Sequence, residues 1–134
     1  ALGQALKDNH SLTEMDLGCN RVGDDEVQVF AMALKTNRKL KQLGLGGNLI
    51  TNAGVEALAE ALQVNRTVTE IDLQYNEISE VGMEALQDAL QVHKALKLIA
   101  SDKNLRYGVT EASLATSAKQ EPGSRQFRIL PRLE

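Results

Sequence analysis

Residues 68–76 read VTEIDLQYN, and the same nine-residue run recurs as LTEMDLGCN at 12–20, LKQLGLGGN at 40–48 and LKLIASDKN at 96–104. The asparagines that close the runs, Asn20, Asn48, Asn76 and Asn104, stand 28 residues apart. Leu12, Leu40, Val68 and Leu96 keep that spacing, as do Met15, Leu43, Ile71 and Ile99, and then Leu17, Leu45 and Leu73. Ser101 breaks the last series. The intervening stretches repeat as well: Leu6, Leu34, Leu62 and Leu90 share one phase, and Asn9, Asn37, Asn65 and His93 share another. A fixed period of this length marks units that bury their apolar faces by stacking on one another.

Within each unit the apolar period changes from two to nearly four. Ile71-Asp72-Leu73 alternates, as a strand with one buried face does. In VEALAEALQVN, Val55, Leu58, Ala59 and Leu62 fall at i, i+3, i+4 and i+7, the spacing of an amphipathic helix. Each unit therefore reads strand, turn, helix, turn, with strands near 12–18, 40–46, 68–74 and 96–102. Thr51, Asn52 and Ser79 stand at the helix starts, where side-chain oxygens are expected to cap free amides. The repeated asparagine is expected to be buried where the chain leaves the strand, its amide bonding loop backbone that the ladder no longer serves. Serial strands joined by helices run parallel, so the predicted fold is α/β: a curved solenoid with a parallel β-sheet on the concave face and α-helices on the convex face.

Composition agrees with an ordered chain and removes several functions. Of 134 residues, 43% are hydrophobic and 25% charged, a balance typical of folded proteins. No eighteen-residue apolar run exists, and a net charge of −3 supplies no basic field for nucleic acid, so neither a membrane nor a nucleic acid is expected as partner. The single cysteine, Cys19, forms no internal disulfide, which fits a reducing compartment and a cytoplasmic location. With two Phe, two Tyr and no Trp, the core must be aliphatic.

The run Leu12, Met15, Leu17, Asn20, repeated as Leu40, Leu43, Leu45, Asn48, resembles the leucine-rich repeat L-x-x-L-x-L-x-x-N. The 28-residue period with the helical segment GVEALAEAL at 54–62 is similar to its ribonuclease-inhibitor-like class, found also in the receptor end of nucleotide-binding innate sensors. The resemblance covers residues 1–104 and implies the fold; the same fold serves many unrelated proteins, so it implies no single function.

The ends depart from the pattern. Ala1–Asn9 aligns with Val29–Asn37 through Leu2/Phe30, Ala5/Ala33 and Leu6/Leu34, so the chain opens in mid-helix, and an upstream repeat or end-to-end self-association is expected there. After Asn104, Arg106 takes the phase of Val22, Ile50 and Ile78, and Ala118 that of Leu90. Residues 105–121 are read as a degenerate C-terminal cap, helical over roughly 108–119, and 122–134 as a flexible or packed-back tail. That tail carries Arg125, Arg128 and Arg132, with a short basic partner motif as the competing reading. Residues 1–104 hold 10 basic and 15 acidic side chains, and 105–134 hold 5 and 3.

Catalysis needs a nucleophile with a base, a metal cluster or a phosphate loop, and no such constellation is present; no catalytic or metal residue and no cofactor is assigned. His10 shares its phase with Arg38, Arg66 and Lys94, cations at helix C-termini where they complement the helix dipole. Cys19 aligns with Gly47, Tyr75 and Lys103 and is read as a free thiol. The glycines of GLGGN lie in strand phase and lack the Lys-Ser/Thr of a phosphate loop. The triplets Asn9-His10-Ser11 and Asn65-Arg66-Thr67 are read as products of the repeat, not as glycosylation sites.

What remains is a surface. Alternation turns Met15 and Leu17 inward and sets Glu14, Asp16 and Gly18 on the open sheet face, then Gln42, Gly44 and Gly46, then Glu70, Asp72 and Gln74, then Leu98, Ala100 and Asp102. At a strand spacing of about 4.8 Å, the carboxylates of the first and third repeats lie roughly 10 Å apart, near one Debye length. They flank a glycine-floored gap, and Tyr75 at the loop edge is a candidate anchor. The reading is a non-catalytic scaffold that binds a protein or basic peptide on the acidic concave face. Against it stand a merely solvated polar face, a GTPase regulator and a ligand-sensing fragment of an innate-immune sensor. The GTPase activators of the resembled class carry more repeats and an acidic tail; such sensors add a nucleotide-binding domain, which this chain lacks.

Overall fold

The computed structural model describes residues 2–101 and 127–130, with side chains over 3–97. Strands and helices alternate: α1 (Leu2–Asp8), β1 (Glu14–Asp16), α2 (Asp24–Leu34), β2 (Gln42–Gly44), α3 (Asn52–Val64), β3 (Glu70–Asp72), α4 (Glu80–Val92), β4 (Lys97–Ser101) and β5 (Phe127–Leu130). The five strands form one parallel sheet in chain order. This is the α/β solenoid predicted from the alternating periods, because a parallel neighbour can be reached only through a crossover, here a helix in every described unit.

The core consists of columns of residues one period apart. Val27, Val55 and Met83, then Phe30, Leu58 and Leu86, then Leu34, Leu62 and Leu90 turn inward from the helices. Leu43 with Ile71 and Leu45 with Leu73 meet them from the strands, and Val22, Ile50 and Ile78 from the turns between. Each strand is only three residues long in the first three units, yet pairing runs past it. Leu17 donates to the Gly44 carbonyl at 2.8 Å and Cys19 to Gly46 at 2.9 Å, and Leu45 and Gly47 repeat this toward Asp72 and Gln74.

The helix starts depart from expectation. Thr51 and Ser79 occupy the N-cap positions, but neither side chain caps its own helix. The oxygens come from the preceding repeat. Asp24, the first residue of α2, accepts from the backbone N–H groups of Thr51 and Gly54. Asn52, the first residue of α3, accepts from those of Ser79 and Gly82. Asn52 is therefore a cap of the next helix, not of its own. At α2 the helix closes on itself, the Glu26 carboxylate accepting the Gly23 N–H at 3.0 Å.

A further expectation is corrected at the C-terminal side. The 28-residue spacing would pair Ile71 with Ile99, but Ile71 pairs with Leu98 and Asp72 with Ile99. A one-residue shift exchanges the two faces of a strand, so Lys97 and Ile99, rather than Leu98 and Ala100, fall in the rows of Glu70 and Asp72. This removes the anomaly of Ser101, since the shifted register, continued by one residue, brings Ala100 opposite Leu73. Within the segment read as a flexible or packed-back tail, Phe127–Leu130 forms β5, Phe127 pairing with Leu98 and Arg128 with Ile99. The expected helix over 108–119, and Asp102 and Asn104, lie outside the described residues.

Candidate functional site

The open sheet face is built from residues that alternate with the buried leucines. Glu14, Gln42 and Glu70 form one row across β1, β2 and β3, and Asp16, Gly44 and Asp72 the next. Glu14, Asp16 and Gln42 are exposed, while Glu70, Asp72 and Gln74 are half-buried. Glu14, Asp16, Gln42, Glu70 and Asp72 border an open cleft of about 440 Å³. Register then adds a residue that spacing missed: Lys97 stands beside Glu70, so the acidic face ends at a cation on β4.

The carboxylates are not equivalent. Asp16 Oδ1 accepts the Gly18 N–H at 2.9 Å, closing the turn out of β1. Asp72 does the same for Gln74 at 3.0 Å and also accepts from the Gln74 side-chain amide at 2.8 Å. The side-chain carboxylates of Glu14 and Glu70 accept no hydrogen bond among the described residues, which leaves them available to an incoming group. The glycine-floored gap is narrower than spacing implied, because a Cβ at Gly44 would lie 2.8 Å from Asp16 Oδ1. The absent side chain is what allows Asp16 to lean across the cleft.

Tyr75 is half-buried at the loop edge, in the left-handed region at φ 57°, as are Cys19 at 60° and Gly47 at 67°. The glycine in that column is the sequence signal of the turn; alone, neither tyrosine nor cysteine betrays it.

Two asparagine ladders hold the face rigid. Asn48 accepts from the N–H groups of Asn20 and Val22 and donates to the carbonyls of Leu17 and Leu45. Asn76 accepts from Ile50 and donates to Leu45 and Leu73. Both are buried. Asn20 departs from the expectation of a buried amide: it is exposed, and its side-chain amide donates to its own loop, at Gly18. The second ladder lies at the helix-to-strand turns, where Asn65 donates to Leu34 and Asn37 and accepts from Thr67 and Val68. Asn37 repeats this one period earlier. With its amide buried and engaged, Asn65 is no glycosylation acceptor in the folded chain. His93 takes the ladder position in the fourth unit, where burial first, and the nearby Arg66 charge second, hold its imidazole below the ordinary value. Arg38 and Arg66 donate to carbonyls at the ends of α2 and α3.

Among the described residues, no group of three or more His, Cys, Asp or Glu could hold a metal, and no helix is long and apolar enough to cross a membrane. The repeated geometry has a counterpart in sequence: a leucine-rich-repeat family model matches residues 8–31, 36–59 and 64–86. The chain belongs to the leucine-rich repeat family. Among solved structures this leucine-rich repeat chain is similar to one described as leiomodin-1 actin-binding site 2, with a TM-score of 0.82 and 22% identity, over 98% of this chain and 78% of that one. It is also similar to the tropomodulin C-terminal domain of Caenorhabditis elegans, with a TM-score of 0.75 and 14% identity, over 98% and 80% of the two chains. At these identities the likeness is one of fold. No curated protein matches the chain significantly.

Proposed function

We propose that this leucine-rich repeat domain is a non-catalytic scaffold, of the ribonuclease-inhibitor-like class and acting in the cytoplasm, that docks a basic segment of a protein partner on its acidic sheet face. The observation that carries the reading is the pair Glu14 and Glu70, carboxylates that no described group bonds, on either side of an open cleft of about 440 Å³. Asp16 and Asp72 add charge but are committed to their turns. A cationic side chain entering the cleft gains from all four at short range, where salt screens least. Tyr75 at the rim supplies the aromatic contact such interfaces favour.

A second reading is actin binding, favoured by the likeness to a structure described as an actin-binding site of leiomodin-1. Both are tested together. The parent and the Glu14→Lys, Glu70→Lys variant, which leaves the turn-closing aspartates intact, are used to capture proteins from lysate and are each titrated with purified actin. A partner bound by the parent and lost by the folded variant supports the acidic face. Actin binding that survives the variant moves the site elsewhere, and identical capture by both proteins overturns the acidic-face reading.

A further inference from the structure

Charge is sorted across the solenoid. Residues 1–104 hold 10 Lys and Arg, and 8 of them stand in the segments 7–13, 35–41, 63–69 and 91–97, which lead from helix to strand and carry one acidic residue, Asp8. The strand-to-helix segments 16–26, 44–54 and 72–82 reverse the balance, with 7 carboxylates and one cation, Arg21. One rim of the solenoid is therefore basic although the chain as a whole is acidic.

Helix electrostatics accounts for part of this, because a cation at a helix C-terminus complements the dipole. Arg38 and Arg66 do so, each donating to the carbonyl four residues back, in the last turns of α2 and α3. Lys39 and Lys41 do not. The dipole fades beyond the last turn, and both lysines lie past the end of α2 at Leu34, exposed on either side of the buried Leu40. Lys35 pairs with Glu60 at 3.1 Å, whereas Arg38, Lys39, Lys41 and Arg66 are in no ion pair with a described carboxylate. Like charges gathered this closely repel one another, and nothing in the fold of the turn requires the two lysines.

The turn that carries them is clamped. Asn37 Oδ1 accepts the N–H groups of Lys39 and Leu40, and its amide donates back to Leu6 and Asn9. The Lys41 N–H donates to the Thr13 carbonyl, and the Lys41 carbonyl accepts from Thr69 and Glu70. Asn65 fixes the turn of Arg66 in the same way. A ligand meeting this rim has no loop to order first, which lowers the cost of binding. The basic strip is also narrow: Glu14 and Glu70 border it on the sheet face, and the exposed Glu60 and Asp88 on the helices. A nucleic-acid duplex or a membrane surface would press its phosphates against those carboxylates, whereas a single extended peptide would lie between them.

We propose that this rim, separate from the acidic cleft, docks a short acidic segment of a protein partner in extended conformation, its carboxylates meeting Lys39, Lys41 and Arg66. Side chains on one side of an extended chain recur about every 6.6 Å, and adjacent strands stand about 4.8 Å apart, so a run of about six residues reaches across three turns.

Fluorescence anisotropy of a fluorescein-labelled hexaglutamate peptide, titrated with the purified chain, tests this. The expected result is saturable binding with a Kd below about 100 μM near 50 mM salt, weakening as salt rises toward about 300 mM. Lys39→Glu and Lys41→Glu are each expected to weaken it about fivefold to tenfold, whereas Arg21→Glu, the same change of net charge on the opposite rim, alters it less than about twofold. Circular dichroism establishes that each variant is folded. Lys39→Gln or Lys41→Gln, expected to weaken binding about twofold to threefold, replaces a reversal that does not fold. A DNA duplex of about 20 base pairs and vesicles with about 30% phosphatidylserine are titrated in parallel. No saturable peptide binding by the parent, lysine variants that bind like the parent, or an equal loss in Arg21→Glu would each overturn the proposal. So would tighter binding of the duplex or the vesicles that the lysine variants lose, which would assign the rim to phosphate.

Discussion

Asp24 caps a helix one repeat away from its own: its Oδ1 accepts the Gly54 N–H at 3.0 Å, and the absence of a side chain at Gly54 is what lets it approach. A Cβ on Gly54 would sit 2.5 Å from that oxygen. Ordinarily alanine is the better helix former by about 1 kcal/mol. Here Gly54→Ala is expected to destabilise, and Asp24→Ala to cost about 0.5–2 kcal/mol as a lost cap. In the Asp24→Ala background the glycine substitution should become neutral or stabilising. Urea denaturation of the four proteins measures the coupling, and additive effects would mean that the two residues do not act through each other.

The asparagine ladder predicts a contrast between equivalent positions. Asn48→Ala leaves buried backbone groups on two repeats without partners and is expected to cost about 1–3 kcal/mol. Asn20→Ala removes one exposed bond within its own loop and should cost far less. Equal losses of melting temperature would contradict the assigned roles.

Gln87 is 1% exposed, and among the described residues neither its amide nitrogen nor its carbonyl oxygen has a hydrogen-bond partner. Its position is held by Ala31 and Ala59 in the preceding helices, both buried. Exchange for an apolar side chain of similar length removes an uncompensated desolvation cost, so Gln87→Met is expected to stabilise by about 1–3 kcal/mol. Thermal unfolding followed by calorimetry decides it; a melting temperature at or below that of the parent would show that the amide is satisfied in solution.

His93 gives the stability a pH dependence. Its folded pKa lies below the ordinary 6.5, chiefly through burial, so the unfolded chain takes up a proton that the folded chain refuses. Stability from this group is full above the unfolded value and declines as pH falls from about 6.5 toward the folded one. His93→Asn, which restores the residue of Asn37 and Asn65, should lose less stability than the parent between about pH 7.5 and about pH 5.5. Every other group is common to both proteins and cancels in the comparison. Parallel profiles would remove His93 as the cause.

Much of the candidate face was legible before any coordinates. Glu14, Asp16, Glu70 and Asp72 follow from alternation about Met15, Leu43 and Ile71, because a strand with one buried side leaves no choice for the other. What was not legible is which carboxylates are spoken for. The turn bonds of Asp16 and Asp72 depend on loop geometry, and Lys97 enters the face only because β4 pairs one residue away from the period.

By itself, the amino-acid sequence determined the repeat length, the succession of strand and helix and the inward columns, since these rest on local periods of two and 3.6 that recur every 28 residues. Tertiary structure alone decided the cross-repeat cap from Asp24 to Gly54, the shifted pairing of Leu98 with Ile71, the addition of Phe127–Leu130 as a fifth strand and the exposure of Asn20. Each depends on a neighbour brought close through space. Spacing counts residues along the chain, whereas register and capping are set by which backbone groups come within hydrogen-bonding distance once the units stack.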